Sequence, residues 1–255
     1  MRLPKLAVTN IHANTTHQRP TWRYHHTMQV SVQSNIREIL PKLDRFTSKQ
    51  APFAIALALT NTAMAVRKQM NLETTKVFDR PSAFTRRAFL FKKADRVTLT
   101  AYVFAKDKQA KYLKAQVQGG GRRVKGFEKR FAADGGQDSG VRGQALVPTD
   151  KIKRDRYGNV SLSQIKRITA DMNTKGSAGR YFIGKPKGGG KNGGRGHGIY
   201  ARVNNNTRIE ALMVFASTPQ YKKRFDMTAI GRRVVSETFE QNLRNAWARA
   251  LATAR

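Results

Sequence analysis

The sequence predicts an α+β fold: a mainly antiparallel sheet packed against long helices, with an extended N-terminal arm. Three observations carry this. Two long stretches, Gln50–Lys76 and Met227–Ala254, keep apolar residues at helical spacing. Arg96–Lys106 alternates Val97, Leu99, Ala101 and Val103 with Thr98, Thr100, Tyr102 and Phe104, the pattern of a half-buried strand. The remaining strand-like runs do not alternate regularly with helices, which argues against a parallel βαβ sheet.

Taken in order, residues 1–34 read as a polar arm rich in His, Thr and Gln. Only Leu6–Val8 and Met28–Val32 could be strands there. The arm holds too little apolar surface to fold alone. Trp22, Tyr24 and Met28 are candidate anchors for a neighbouring subunit or another protein. Residues 35–255 then read as one structural domain. Asn35–Phe46 has an amphipathic pattern cut by Pro41, which limits helix to short pieces. Gln50–Lys76 is a strong helix, with Pro52 suited to a first turn and with alanines that let a neighbour approach closely. Asp79-Arg80-Pro81-Ser82 ends it. Arg86–Lys93 and Arg96–Lys106 read as a hairpin, with Ala94-Asp95 as the turn.

Gln109–Gln118 and Val124–Ala133 are short helices, each stopped by glycines. Gln144–Val147 is a strand, Tyr157-Gly158-Asn159 a turn, and Ser161 or Ser163 caps a helix running to about Asp171. Tyr181–Ile183, Ile199–Val203 and Arg208–Ala216 are further strands, and Thr218-Pro219-Gln220-Tyr221 turns the chain. Asp226 can cap the last helix. Its stripe is Ile230, Val234, Thr238, Leu243, Trp247 and Leu251, with Val235, Phe239 and Ala250 beside them.

Composition bounds the function. Lys and Arg number 49 against 16 Asp and Glu, a formal net charge of +33 over 255 residues. A surface so charged repels itself unless an anionic partner screens it, which points to nucleic acid, an acidic protein or a membrane surface. No apolar run is long enough to span a bilayer, and MRLPKLAVTNIHANTT lacks a signal-peptide core. There is no cysteine, so disulfides and thiolate metal sites are excluded.

The candidate motifs are weighed against simpler readings. Residues 185–197 (KPKGGGKNGGRGH) are basic, glycine-rich and unable to join a core. Gly190-Lys191 departs from the P-loop template, with Lys185 where Gly is needed and Asn192 where Ser or Thr is needed. A loop touching nucleic-acid backbone through Lys185, Lys187, Lys191 and Arg195 fits better, and a loop that is simply solvated fits as well. Gly198-Ile199-Tyr200 matches half of a nuclease signature whose other tripeptide is absent. His12, His17, His25 and His26 show no metal-ligand spacing, and His197 stands alone among glycines. Asp134, Asp138, Asp150 and Asp155 lie in loop-like segments without ligand spacing. No catalytic residue, metal ligand or cofactor site is therefore expected. The basic residues are spread along the chain, as at Arg86-Arg87, Arg122-Arg123, Lys151–Arg156 and Lys222–Arg224. Such a spread suits backbone contact without base readout.

Seven segments in order resemble a family of tailed-bacteriophage structural proteins, the prophage minor tail proteins related to tail protein Z. They are Pro52–Ala56 running on through Leu59–Ala63, Phe78–Thr85, Lys111–Leu113, Val117–Arg122, Lys125–Glu128, Tyr157–Ser161 and Thr218–Lys222. The resemblance covers roughly residues 35–255. It implies a virion protein at or near the head–tail junction or tail, a connector or tail-completion component built as a homo-oligomeric ring around the DNA path. It implies no catalytic residues or cofactor. Its partners would be other head, portal or tail proteins and genomic DNA held by nonspecific backbone contact, and its place the virion, after assembly in the host cytoplasm. The alternative is a nonspecific nucleic-acid-binding or DNA-processing protein.

Overall fold

A computed structural model describes residues 28–33, 45–134, 140–175, 178–186 and 196–253. The fold is α+β, and every pairing between its named strands is antiparallel. Residues 35–255 do not form one unit as expected. The chain divides into two compact units, one comprising residues up to Gly119 with Lys222 onward, the other Gly120–Tyr221. No helix among the described residues is long and apolar enough to cross a membrane.

The first unit holds a three-stranded sheet of β1 (Gln29–Gln33), β2 (Phe89–Lys92) and β3 (Thr100–Ala105), in the order β1-β3-β2. Val30 pairs with Val103 and Val32 with Ala101, all four with no exposed surface. This corrects the reading of Met28 as an anchor for a neighbour. Met28 is 4% exposed in its own chain's core, and its carbonyl accepts the Ala105 N–H. The apolar alternation Met28-x-Val30-x-Val32 outweighs the polar composition around it. Trp22, Tyr24 and Leu6–Val8 lie outside the described residues.

Helix α1 (Arg45–Val77) begins earlier than expected, so Pro52 lies inside it rather than in its first turn. Ala51, Ala54, Ala58 and Ala63 are fully buried along it beside Ile55, Leu59, Val66 and Met70. The small side chains let the last helix, α6 (Met227–Ala252), and the sheet lie close against it. Asn242 Nδ2 donates to the buried Thr62 Oγ1 at 3.0 Å, and Arg233 reaches Glu73 at 3.3 Å, tying α6 to α1 twice. As expected, the Asp226 carboxylate accepts the Ala229 N–H at 3.0 Å and caps α6. Val234, Val235, Phe239, Leu243 and Ala246 form its buried face. Trp247 is only half-buried and Leu251 is 45% exposed, although Ala250 between them has no exposed surface. Phe225, just ahead of α6, stacks on Phe89 at 5.4 Å and on Phe78 at 6.4 Å, joining α6's entrance to β2 and α1's exit.

The β2–β3 connection is longer than the two-residue turn expected. The Asp95 carboxylate accepts the N–H groups of Val97 and Thr98 at 2.8 and 2.6 Å, folding the chain locally in place of the ladder. Val97 is consequently 78% exposed rather than inward. Leu99 returns to the core at φ 50°, a left-handed conformation costly for a leucine. The helices α2 (Ala83–Arg86) and α3 (Asp107–Gln118) complete this unit.

The second unit contains α4 (Gly126–Asp134), α5 (Leu162–Lys175) and a four-stranded sheet of β5 (Ala145–Pro148), β6 (Tyr181–Gly184), β7 (Gly198–Val203) and β8 (Arg208–Ala216), in the order β5-β8-β7-β6. The pair β4 (Gly120–Gly121) and β9 (Gln220–Tyr221) closes its two ends. Phe131, Ile152, Ile168, Ile199, Met213 and Phe215 form its core. One carboxylate organises the unit. Glu128 is fully buried, and it accepts from Arg122 Nη1 and Nη2 at 2.8 and 2.6 Å, from Lys125 N at 2.6 Å and from Leu146 N at 3.2 Å. α4, its leading loop and β5 thus share one charge.

Two expectations follow. Phe239→Ala should destabilise the protein by about 3–5 kcal/mol, and Trp247→Ala by clearly less, in denaturant unfolding. Equal losses would mean that Trp247 is as deeply packed as Phe239. For Glu128, burial alone would raise the carboxyl, but the bonds from Arg122, Lys125 and Leu146 outweigh it and hold it below the ordinary value of 4.5. A carboxyl lowered by folding stabilises fully above its unfolded value and stops doing so as pH falls through the folded one. Stability of the wild type should therefore fall with acid below about pH 4.5 more steeply than that of Glu128→Gln, which starts lower at neutral pH and has no such group to titrate. Parallel acid-unfolding curves would rule out Glu128 as that group.

Candidate nucleic-acid interface

The basic glycine-rich segment joins β6 to β7, so the register of this hairpin decides where its ends sit. Tyr181 pairs with Ala201, Phe182 with Tyr200, Ile183 with Ile199 and Gly184 with Gly198. Alternate residues face opposite sides. Tyr181, Ile183, Ile199 and Ala201 pack in the core of the unit. Phe182, Tyr200 and Arg202 share the other face. A glycine is required at Gly198: a Cβ there would lie 2.4 Å from the Met213 carbonyl oxygen, a backbone atom that cannot swing away. The close approach precedes a bulge in β8's pairing between Ile199 and Tyr200.

On the outer face Phe182 stacks on Tyr200 at 5.7 Å and 24°. The Arg202 guanidinium lies 4.3 Å from the Phe182 ring centroid and donates to the Gly179 carbonyl. The Tyr200 hydroxyl donates to the Gly196 carbonyl, at the returning end of the basic segment. A cation is thereby mounted, half-exposed, on an aromatic stack whose lower ring is fully buried. Sequence reading missed this trio. Its signal is the pairing of Phe182 with Tyr200, visible only once the hairpin register is known.

Of the four cations expected to touch phosphate, Lys185 is exposed at the departing end of the segment. Lys187, Lys191 and Arg195 lie outside the described residues. His197 closes the segment. Its carbonyl accepts the Phe215 N–H at 2.8 Å, its ring leans on Phe215 at 5.8 Å, and its Nε2 is buried without a hydrogen-bond partner among the described residues. Burial, and then the charge of Lys185, push its pKa below the ordinary 6.5. His197 therefore stays neutral at neutral pH and adds no charge.

Beside the hairpin lies an open recess of about 410 Å³, lined by Thr149, Lys151, Tyr200, Arg208 and Glu210 among others. Lys151 meets Asp150 at 3.3 Å and Arg208 meets Glu210 at 3.4 Å, so the recess presents paired rather than single charges. Lys153, Arg154 and Arg156 are exposed on the neighbouring loop, with Arg156 over the Tyr157 ring at 4.8 Å. The β7–β8 turn carries Asn204, Asn205 and Asn206 at φ 51°, 50° and 70°, a left-handed run that asparagine tolerates better than most residues.

The other residues weighed from sequence have structural jobs. Asp155 accepts from Tyr157 N and Asn159 N, both at 2.9 Å, and forms the turn at Gly158. Asp134 lies 3.9 Å from Arg130. Asp138 and the histidines of the arm are outside the described residues. Among the described residues no three His, Asp or Glu side chains group closely enough to hold a metal ion. Comparison with family models, with curated proteins and with solved structures finds no match to this chain.

Proposed function

We propose that this chain is a noncatalytic structural protein of a tailed-bacteriophage virion, a connector or tail-completion component at the head–tail junction or tail. It assembles as a ring around the DNA path, with head, portal or tail proteins as neighbours. The single observation that carries the DNA contact is the β6–β7 hairpin. It sets Lys185 and Gly196 at the two ends of a basic segment, and it holds Arg202 on the Phe182–Tyr200 stack at the end of the hairpin away from that segment. The ring and its place in the particle are supported by the seven ordered segments that resemble minor tail proteins of this type. The same hairpin favours a second reading, a nonspecific nucleic-acid-binding protein outside any particle.

Negative-stain images of the purified protein and of particles separate the two. Rings, or density at the neck or tail, are expected. Monomers coating DNA would favour the second reading. DNA contact itself is read from salt dependence, because each neutralised phosphate releases condensed counterion. Lys185, Lys187, Lys191 and Arg195 together account for a log–log slope of up to about −3.6 on duplex DNA, at about −0.9 per contact. Changing all four to Ser should flatten the slope by some part of that amount. An unchanged slope would assign the +33 charge to other surfaces or to acidic protein neighbours.

A further inference from the structure

Two stretches singled out in the sequence, Phe78–Thr85 and Lys111–Leu113, meet on the surface of the first unit. Phe84 is 51% exposed and Tyr112 39% exposed, and their rings stack at 6.3 Å. Such exposure of a paired aromatic surface is unfavourable in water. Yet the pair is held in place rather than left loose. The Tyr112 hydroxyl donates to Thr85 Oγ1 at 3.0 Å. Gln109, itself 3% exposed, donates from Nε2 to the Phe84 carbonyl at 3.1 Å. Ser82 caps the short turn that carries Phe84. A buried polar side chain on α3 thus fixes the backbone that presents an apolar ring to solvent.

The surroundings are cationic. Arg86 and Arg87 lie two and three residues after Phe84, and Lys108 and Lys111 lie four and one residues before Tyr112 on α3. All four are exposed, and no carboxylate among the described residues pairs with them. Phenylalanine has no polar edge for a base, and a duplex offers it no open base face. An aromatic anchor flanked in sequence by cations that pair with no described carboxylate suits a protein partner that brings carboxylates and an apolar side chain together.

We infer that the Phe84–Tyr112 patch is a docking surface for an acidic protein segment with an apolar anchor. The patch fixes where such a segment sits through the rings, and the cations select for acidic partners. It belongs to the first unit and operates whether or not the β6–β7 hairpin of the second meets DNA.

The test uses the full-length protein and fluorescence anisotropy at low salt. The probes are a labelled poly-glutamate peptide, the same peptide with a central Phe-Leu pair, and a short oligothymidylate. Wild type should bind the peptide with the apolar pair about tenfold more tightly than the all-glutamate peptide, the size of effect that one anchor residue carries. Phe84→Ser should erase that advantage, and Phe84→Leu should keep most of it. Lys108→Ser with Lys111→Ser should weaken both peptides. These lysines are exposed, so that variant reads the surface even if Phe84→Ser lowers the melting temperature. Equal affinity for the two peptides in wild type overturns the proposal, and so does a folded Phe84→Ser protein that still prefers the apolar pair. Loss of oligothymidylate binding in Phe84→Ser with peptide binding unchanged would make the patch a nucleic-acid site and overturns it as well.

Discussion

The scarcity of acid constrains this structure more than any other property. With 16 carboxylates against 49 cations, surface ion pairs cannot neutralise the chain. Five of the described carboxylates accept main-chain N–H groups, and two of these, Glu128 and Asp226, also pair with a cation. Glu128 accepts two main-chain N–H groups beneath Arg122, Asp95 two in the β2–β3 loop, Asp155 two at the Gly158 turn, Asp171 one at the start of β6 and Asp226 one at the start of α6. These are sites where the chain turns and N–H groups have no ladder or helix partner. A charged acceptor there is worth more than the same carboxylate on an exposed Lys or Arg, where the gain is about 0–1 kcal/mol. These five acids therefore hold the fold where it turns, and 16 acids in all leave a chain with 49 cations basic.

Several guanidiniums lie over aromatic rings. Arg202 lies over Phe182, Arg96 over Phe53, Arg67 over Phe91 and Arg156 over Tyr157, at 4.3 to 5.5 Å from the centroids. A ring orients a guanidinium through its quadrupole and apolar contact but leaves the net charge intact. A carboxylate would orient it equally well and cancel it. In a protein that meets an anionic partner the difference matters, because a cation already neutralised gains little from a phosphate.

What could be read from the sequence divides along the same line. Elements set by local signals were legible: β8 has the expected bounds, and α6 begins at its Asp226 cap. The alternation from Val97 failed because it is a statement about sheets, and Asp95 offered the same backbone a local alternative. Met28–Val32 was legible as a strand, but its burial was not, because its partner, β3, lies about 70 residues away in sequence. Of the candidate interface, Lys185 and the glycine-rich composition were legible. The Phe182–Tyr200–Arg202 stack was not, since it exists only in the cross-strand register.

The two basic surfaces differ in kind, and burial decides the difference. On the hairpin the apolar atoms are inside: Tyr200 has no exposed surface, and Phe182 lies under Arg202. What remains outward among the described residues is the charge of Lys185 and Arg202, and a surface of that kind would read a polyanion by its spacing and not by its sequence. On the first unit the order is reversed. Phe84 and Tyr112 are outermost and the cations flank them, so burying the patch gains apolar contact that depends on the shape of what covers it. A surface of the first kind suits a partner that slides past, such as a genome moving along a conduit. A surface of the second kind suits a partner that stays. The ring proposed above would need both, because it would have to hold its neighbours fixed while leaving its central path open.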